Sequence, residues 1–189
     1  ELPLKSPDHT TLSRRNKMLR PTISPALCGK GPLDIVFDST GLSIHGEGRW
    51  RQEKYGNHNR RGWRKLHVAV DGQGLALSCS ITDETRKDAS EITQLLKTVR
   101  GRMRSFTADG GYDERGVYAA VAKHLPKASV IIPPHVNAQK SPAPTAAFKE
   151  RNKHIEAIAA KGVYRWRRES GYYRQSIVEN TIYRYKQII

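Results

Sequence analysis

The chain has 189 residues and a net charge of +15, from 33 Lys+Arg against 18 Asp+Glu. That is long enough for one buried core, and basic enough to favour a polyanionic partner. No run approaches the roughly 18–20 apolar residues of a membrane span, and no signal peptide is visible in the polar N-terminal stretch given. Two cysteines, Cys28 and Cys79, exclude a disulfide framework and a four-thiolate metal site and suit a reduced, cytoplasmic protein.

For a soluble chain of this charge the polyanion is nucleic acid. Ribosomal-type binding is the plainest version of that reading; a few acids in special places count against it. The chain starts with Glu1 rather than Met, so it reads as a fragment or a truncated frame. Residues 1–30 are polar and punctuated by Pro3, Pro7, Pro21 and Pro25. One short helix, Asp8 to Met18, is predicted there, and the region reads as the tail of an upstream part. Leu33 to Phe37 is an apolar run between turn residues and predicts a buried strand that ends on Asp38. Ser39-Thr40-Gly41 reads as a turn, with Leu42 to His45 as a possible hairpin partner.

A long basic, Gly-rich connection from Gly46 to Arg61 carries Arg49 and Trp50. Arg64 to Val70 and Leu75 to Ile81 predict two strands around an Asp71-Gly72-Gln73-Gly74 hairpin, which completes a three-stranded antiparallel meander. Asp88 to Arg100 turns helical, with Ile92, Leu95, Leu96 and Val99 on one face. A strand from Arg102 to Ala108 ends at Asp109, a helix follows over Glu114 to His124, and Val130 to Ile132 forms a short strand before Pro133-Pro134. Strand, helix, strand implies a crossover and parallel pairing. Residues 135–170 are irregular. Gly171 to Ile189 is helical in its second half, with Val178, Ile182, Tyr185 and Ile189 as the buried stripe.

Asp38 and Asp109 share one setting, a single acid at the carboxyl end of an apolar strand. On neighbouring parallel strands their carboxylates would lie side by side. Such a pair of anions is stable around a hard cation, and oxygen ligands suit Mg²⁺ or Mn²⁺. Glu179, beside the stripe of the last helix, supplies a third acid. Lys186 lies two turns further on the same side, placed to meet phosphate. The expected cofactor is Mg²⁺ (or Mn²⁺), with two ions, as in in-line phosphoryl displacement.

Asp38-Ser39-Thr40-Gly41-Leu42, Trp63-Arg64-Lys65-Leu66-His67, Ala108-Asp109-Gly110-Gly111-Tyr112-Asp113, Ile132-Pro133-Pro134 and Tyr172 through Lys186 resemble bacterial insertion-sequence transposases. These are DDE enzymes with an RNase H-like fold, of the IS-four and IS-five kind. The resemblance runs from about Pro7 to the C-terminus. It implies that Asp38, Asp109 and Glu179 bind the metals and catalyse cleavage and 3′-hydroxyl strand transfer on double-stranded DNA. It also implies that Tyr172, Arg174 and Lys186 position terminal phosphates. Arg49, Trp50, Arg64 and Lys65 complete the expected DNA-binding set. In the family's last motif, Tyr172, Glu179 and Lys186 keep their spacing. Gln175 stands where the family carries Arg, and the adjacent Arg174 is the candidate for that contact.

The expected architecture is an RNase H-like α/β domain, a mixed five-stranded sheet flanked by helices. Residues 1–30 would be the remnant of an N-terminal DNA-binding or linker region. Residues 31–189 would form the catalytic domain, with an insertion at about 135–170 and a truncated C-terminus. A homodimer on DNA and a bacterial, nucleoid-associated location are expected with it. A metal-dependent nuclease or resolvase would share the three acids without recognising transposon ends, and an inactive remnant would share only the charge. Zinc is disfavoured, because none of the seven histidines pairs with His or Cys at ligand spacing. His67 reads as a packed or hydrogen-bonded strand residue. Trp63 reads as core, whereas Trp50 and Trp166 could serve either packing or base stacking.

Overall fold

A computed structural model describes residues 8–18, 31–43, 63–99, 102–146 and 148–188. In chain order these residues form α1 (His9–Met18), β1 (Leu33–Ser43), β2 (Trp63–Val70), β3 (Ala76–Asp83), α2 (Asp88–Thr98), β4 (Met103–Ala108), α3 (Arg115–His124), β5 (Ser129–Ile131), α4 (Lys149–Lys161), α5 (Val163–Ser170) and α6 (Gln175–Ile188). The sheet order is β3-β2-β1-β4-β5. β1–β2 and β2–β3 pair antiparallel, while β1–β4 and β4–β5 pair parallel. This is the mixed five-stranded sheet of an RNase H-like fold. Among the described residues, no helix is long and apolar enough to cross a membrane.

β1 is central, so both of its faces are covered and its apolar run is continuous instead of alternating. Ile35 and Phe37 join a core with residues of α2 and α3, including Ile92, Leu95, Val117 and Tyr118. Val36 joins a smaller core with Leu66, Val68 and Val70 of β2 and with Val178 and Ile182 of α6. Two helices on one face and one on the other thus clamp the strand that carries Asp38.

The hairpin between β2 and β3 forms where Asp71-Gly72-Gln73-Gly74 predicts it. The Asp71 carboxylate accepts the backbone N–H of Gln73 and of Leu75, each at 2.9 Å. Three expectations need correction. Ser39-Thr40-Gly41 is no turn: β1 stays extended to Ser43, because β2 pairs with it residue by residue from Val36↔Val70 to Ser43↔Trp63. Asp38 therefore ends the parallel ladder, whose last pair is Phe37↔Ala108, but not the strand itself. Trp63 is 42% exposed and not core, since it pairs with Ser43 at the far end of the antiparallel β1–β2 ladder. Finally, Tyr185 is 39% exposed and lines an apolar groove with Ile81 of the edge strand. The buried row of α6 is Gln175, Val178 and Ile182, one turn upstream of the expected stripe; Ile189 lies outside the described residues.

Part of the stretch from 135 to 170 is helical, as α4 and α5. α4 has no fully buried residue and α5 has only Trp166, so neither writes a clear apolar period into the sequence. Ion pairs and hydrogen bonds anchor α4, and the buried Trp166 anchors α5. Arg151 grips the buried Asp113 carboxylate with two N–H groups, at 2.7 and 2.9 Å. Trp166 Nε1–H donates to His154 Nδ1 at 3.1 Å. The His154 proton therefore sits on Nε2, which donates to the Val130 carbonyl at 2.7 Å.

Candidate active site

The parallel register decides how the first two acids meet. Ile35↔Phe106, Val36↔Thr107 and Phe37↔Ala108 are successive partners, so the next residues on the two strands are Asp38 and Asp109. Side chains alternate across a strand with period two, which puts both acids on the face that carries Val36 and α6. Asp38 is half-buried, and its Oδ1 accepts the Ser39 N–H at 2.8 Å. Burial, reinforced by the negative charges of Asp109 and Glu179, pushes its pKa up to about 6.

Asp109 is fixed differently. Its Oδ1 accepts the Gly111 N–H at 2.9 Å, capping a short 3₁₀ turn over Gly110–Tyr112. The two glycines answer a space constraint. A Cβ on Gly111 would lie 3.1 Å from Asp109 Oδ1, and one on Gly110 would lie 3.3 Å from the Pro133 carbonyl. Tyr112 closes the floor, buried edge-on against Phe37 at 5.4 Å between ring centroids. Glu179 projects from an exposed position on α6, close enough for its charge to act on Asp38.

Tyr172 belongs to the same locality. Its hydroxyl pKa is raised by burial first and then by the charges of Asp109, Glu179 and Asp38, against the opposing pull of Arg167. Its ring packs on Trp166 at 5.6 Å, and the Arg167 guanidinium lies 5.6 Å from the ring centroid. Trp166 is thereby a core residue that holds Tyr172. Lys186 is exposed on α6.

The other expected contacts are partly engaged within the protein. Arg174 donates to Asp34 Oδ2 at 2.6 Å. Arg64 pairs with Asp83. Lys65 Nζ donates to Asp88 Oδ1 at 3.1 Å and to the Arg86 carbonyl at 2.9 Å. Arg49 and Trp50 lie outside the described residues. His67 is buried with Nε2 2.9 Å from Thr82 Oγ1, and burial lowers its pKa; it is a packed, hydrogen-bonded strand residue, as the sequence predicts.

A hard divalent cation fits this donor set. Two carboxylates are adjacent by register, and the charge of a third acid, Glu179, reaches Asp38, a repulsion that a cation relieves. Among the described residues no three His, Cys, Asp or Glu side chains are gathered closely enough to hold an ion as they stand. The arrangement is an open carboxylate pair, with Glu179 exposed on α6.

Three residues here were not anticipated in these roles. Asp34, four residues before Asp38 on the same face, accepts from Arg104, from Ser105 at 2.6 Å and from Arg174. Asp113 is the buried partner of Arg151. Gln175 is buried against β1. Strand periodicity could have flagged Asp34; nothing local could have found its arginines.

An RNase H-like sheet with acids paired at the end of its central parallel ladder defines a class of metal-dependent nucleic-acid enzymes. Within that class, the transposase DDE domain family matches residues 29–188, and the chain belongs to that family. Members act in DNA transposition, and their domains use divalent metal ions, typically Mg²⁺.

Proposed function

We propose that residues 31–189 form the catalytic domain of a DNA transposase that cuts transposon ends and joins the freed 3′-hydroxyl to target DNA. Asp38, Asp109 and Glu179 would hold Mg²⁺ or Mn²⁺. The observation that carries this reading is the register Phe37↔Ala108, which leaves two carboxylates of separate strands abreast where the parallel ladder stops. A cation bound there supplies charge stabilisation at a phosphoryl group and lowers the pKa of a coordinated water or hydroxyl.

The remaining roles belong to the chain. Asp109 is held in one rotamer by the Gly111 N–H, and the Ser39 N–H does the same for Asp38. Pre-set ligands of this kind lose little freedom on binding. Tyr172, backed by Trp166 and Arg167, offers a hydroxyl beside the acids, and Lys186 offers a cation on the same helix as Glu179. These two are the phosphate contacts we favour. Arg174 contributes at one remove, because part of its guanidinium serves Asp34. Both chemical steps are exchanges at phosphorus. Water displaces the 3′ oxygen at the transposon end, and the released 3′-hydroxyl then displaces an oxygen of the target strand.

The test is an assay on duplex DNA containing the sequences that flank the reading frame. Mg²⁺-dependent cleavage at the element boundary together with joined products is expected, and chelation should abolish both. Cleavage with no joined product would move the assignment to a nuclease, and no Mg²⁺-dependent cleavage would overturn it.

A further inference from the structure

Gln175 opens α6, the helix that carries Glu179 one turn later. It is 4% exposed. Its Nε2 donates to the Phe37 carbonyl at 3.3 Å, and its Oε1 is buried with no hydrogen-bond partner. The carbonyl it holds belongs to the peptide bond that leads into Asp38. A side chain that only filled space here would be Leu or Met, since a buried acceptor left empty is unfavourable. An amide at this position makes sense through the bond it donates.

That bond has a distinct mechanical effect. α6 rests on the sheet through Val178 and Ile182 against Val36, Leu66 and Val68; Thr181 Oγ1, further along, lies 3.2 Å from the Gly74 carbonyl, and Arg174, just before the helix, donates to Asp34. Apolar contact is non-directional and leaves the helix some freedom to slide or rotate. A hydrogen bond has a narrow range of length and angle, and this one ties the first residue of α6 to the backbone of Asp38. Glu179 lies exposed one turn further along the helix whose start this bond fixes. The inward setting of residue 175 also gives it no route to a phosphate.

We propose that Gln175 is a positioning residue that sets Glu179 relative to Asp38, an inference that rests on the three acids forming one metal site. The test is Mn²⁺ binding to the full chain without DNA, followed by electron paramagnetic resonance. The variants are Gln175→Met, Glu179→Gln, the two combined, and Asp109→Ala. Near-UV circular dichroism checks the fold, and Gln175→Leu replaces Gln175→Met if the latter does not fold.

Gln175→Met is expected to weaken Mn²⁺ binding by about tenfold, the lower range for loss of a residue that orients a ligand. In the Glu179→Gln background it should have no further effect, because the ligand it positions is already gone. A merely structural role would give the same loss in both backgrounds, and that result overturns the proposal. So does unchanged binding in Gln175→Met while Asp109→Ala loses the ion, and in that case the acid site stands. If Asp109→Ala binds Mn²⁺ as the native chain does, the metal-site reading itself fails and this inference falls with it.

Discussion

Asp34 and Asp38 sit four residues apart on one face of β1 and meet opposite fates. Hydrogen bonding from Arg104, reinforced by Ser105 and by the charge of Arg174, holds the Asp34 carboxyl below its ordinary range despite burial. Burial and the nearby charges of Asp109 and Glu179 push Asp38 up. Type, strand and face are the same, so the neighbours decide which acid is structural and which is the candidate for chemistry. Because its folded pKa is depressed, Asp34 stabilises the fold fully above the unfolded carboxylate value of about 3.9. That contribution is lost as pH falls through the lower folded value. Asp34→Asn is expected to cost about 1–2 kcal/mol at pH 7, an amount limited by the solvent contact of both arginines. Urea unfolding at pH 7 and pH 3 measures it, and the variant should lose less stability than the native chain on acidification. Asp38 and Asp109 were legible because each follows an apolar run of its own. Asp34 was not, because Arg104 and Arg174 are 70 and 140 residues away.

The helices divide along similar lines. α2 and α3 were legible because each buries an apolar row against the sheet, and that row imposes the 3.6-residue period. α4 holds on by ion pairs, and α5 by a single tryptophan, so no such period exists to be read. Gln175 escaped for a related reason, since a polar residue within the first turn of a helix predicts an exposed position. The Arg151–Asp113 pair tests the polar anchorage. Arg151 is only 11% exposed and the Asp113 side chain is fully buried. Removing one partner strands a buried charge, so Arg151→Ala should cost about 3–5 kcal/mol in urea unfolding. A loss below about 1 kcal/mol would match an exposed pair and contradict the assignment.

At the scale of the whole molecule, the charge read first and the site read last belong together. A net charge of +15 supplies attraction for duplex DNA without sequence information, while the acids stay in one partly buried place. DNA binding should therefore depend steeply on salt. If about six phosphates are neutralised, affinity falls by about 10³-fold between 50 and 200 mM salt, and fluorescence anisotropy titrations follow it. A flat salt dependence would detach the charge from DNA binding. The parallel ladder that ends at Phe37↔Ala108 is what turns a basic sheet protein into a candidate phosphoryl-transfer enzyme. The most direct test is Mg²⁺-dependent nicking of a plasmid that carries the flanking element DNA, by the native chain and by Asp109→Ala with its fold verified. Because loss of an outer-shell partner alone commonly costs 10–100-fold, the variant should be slower by about 100-fold or more. Nicking by Asp109→Ala at the native rate would contradict the account.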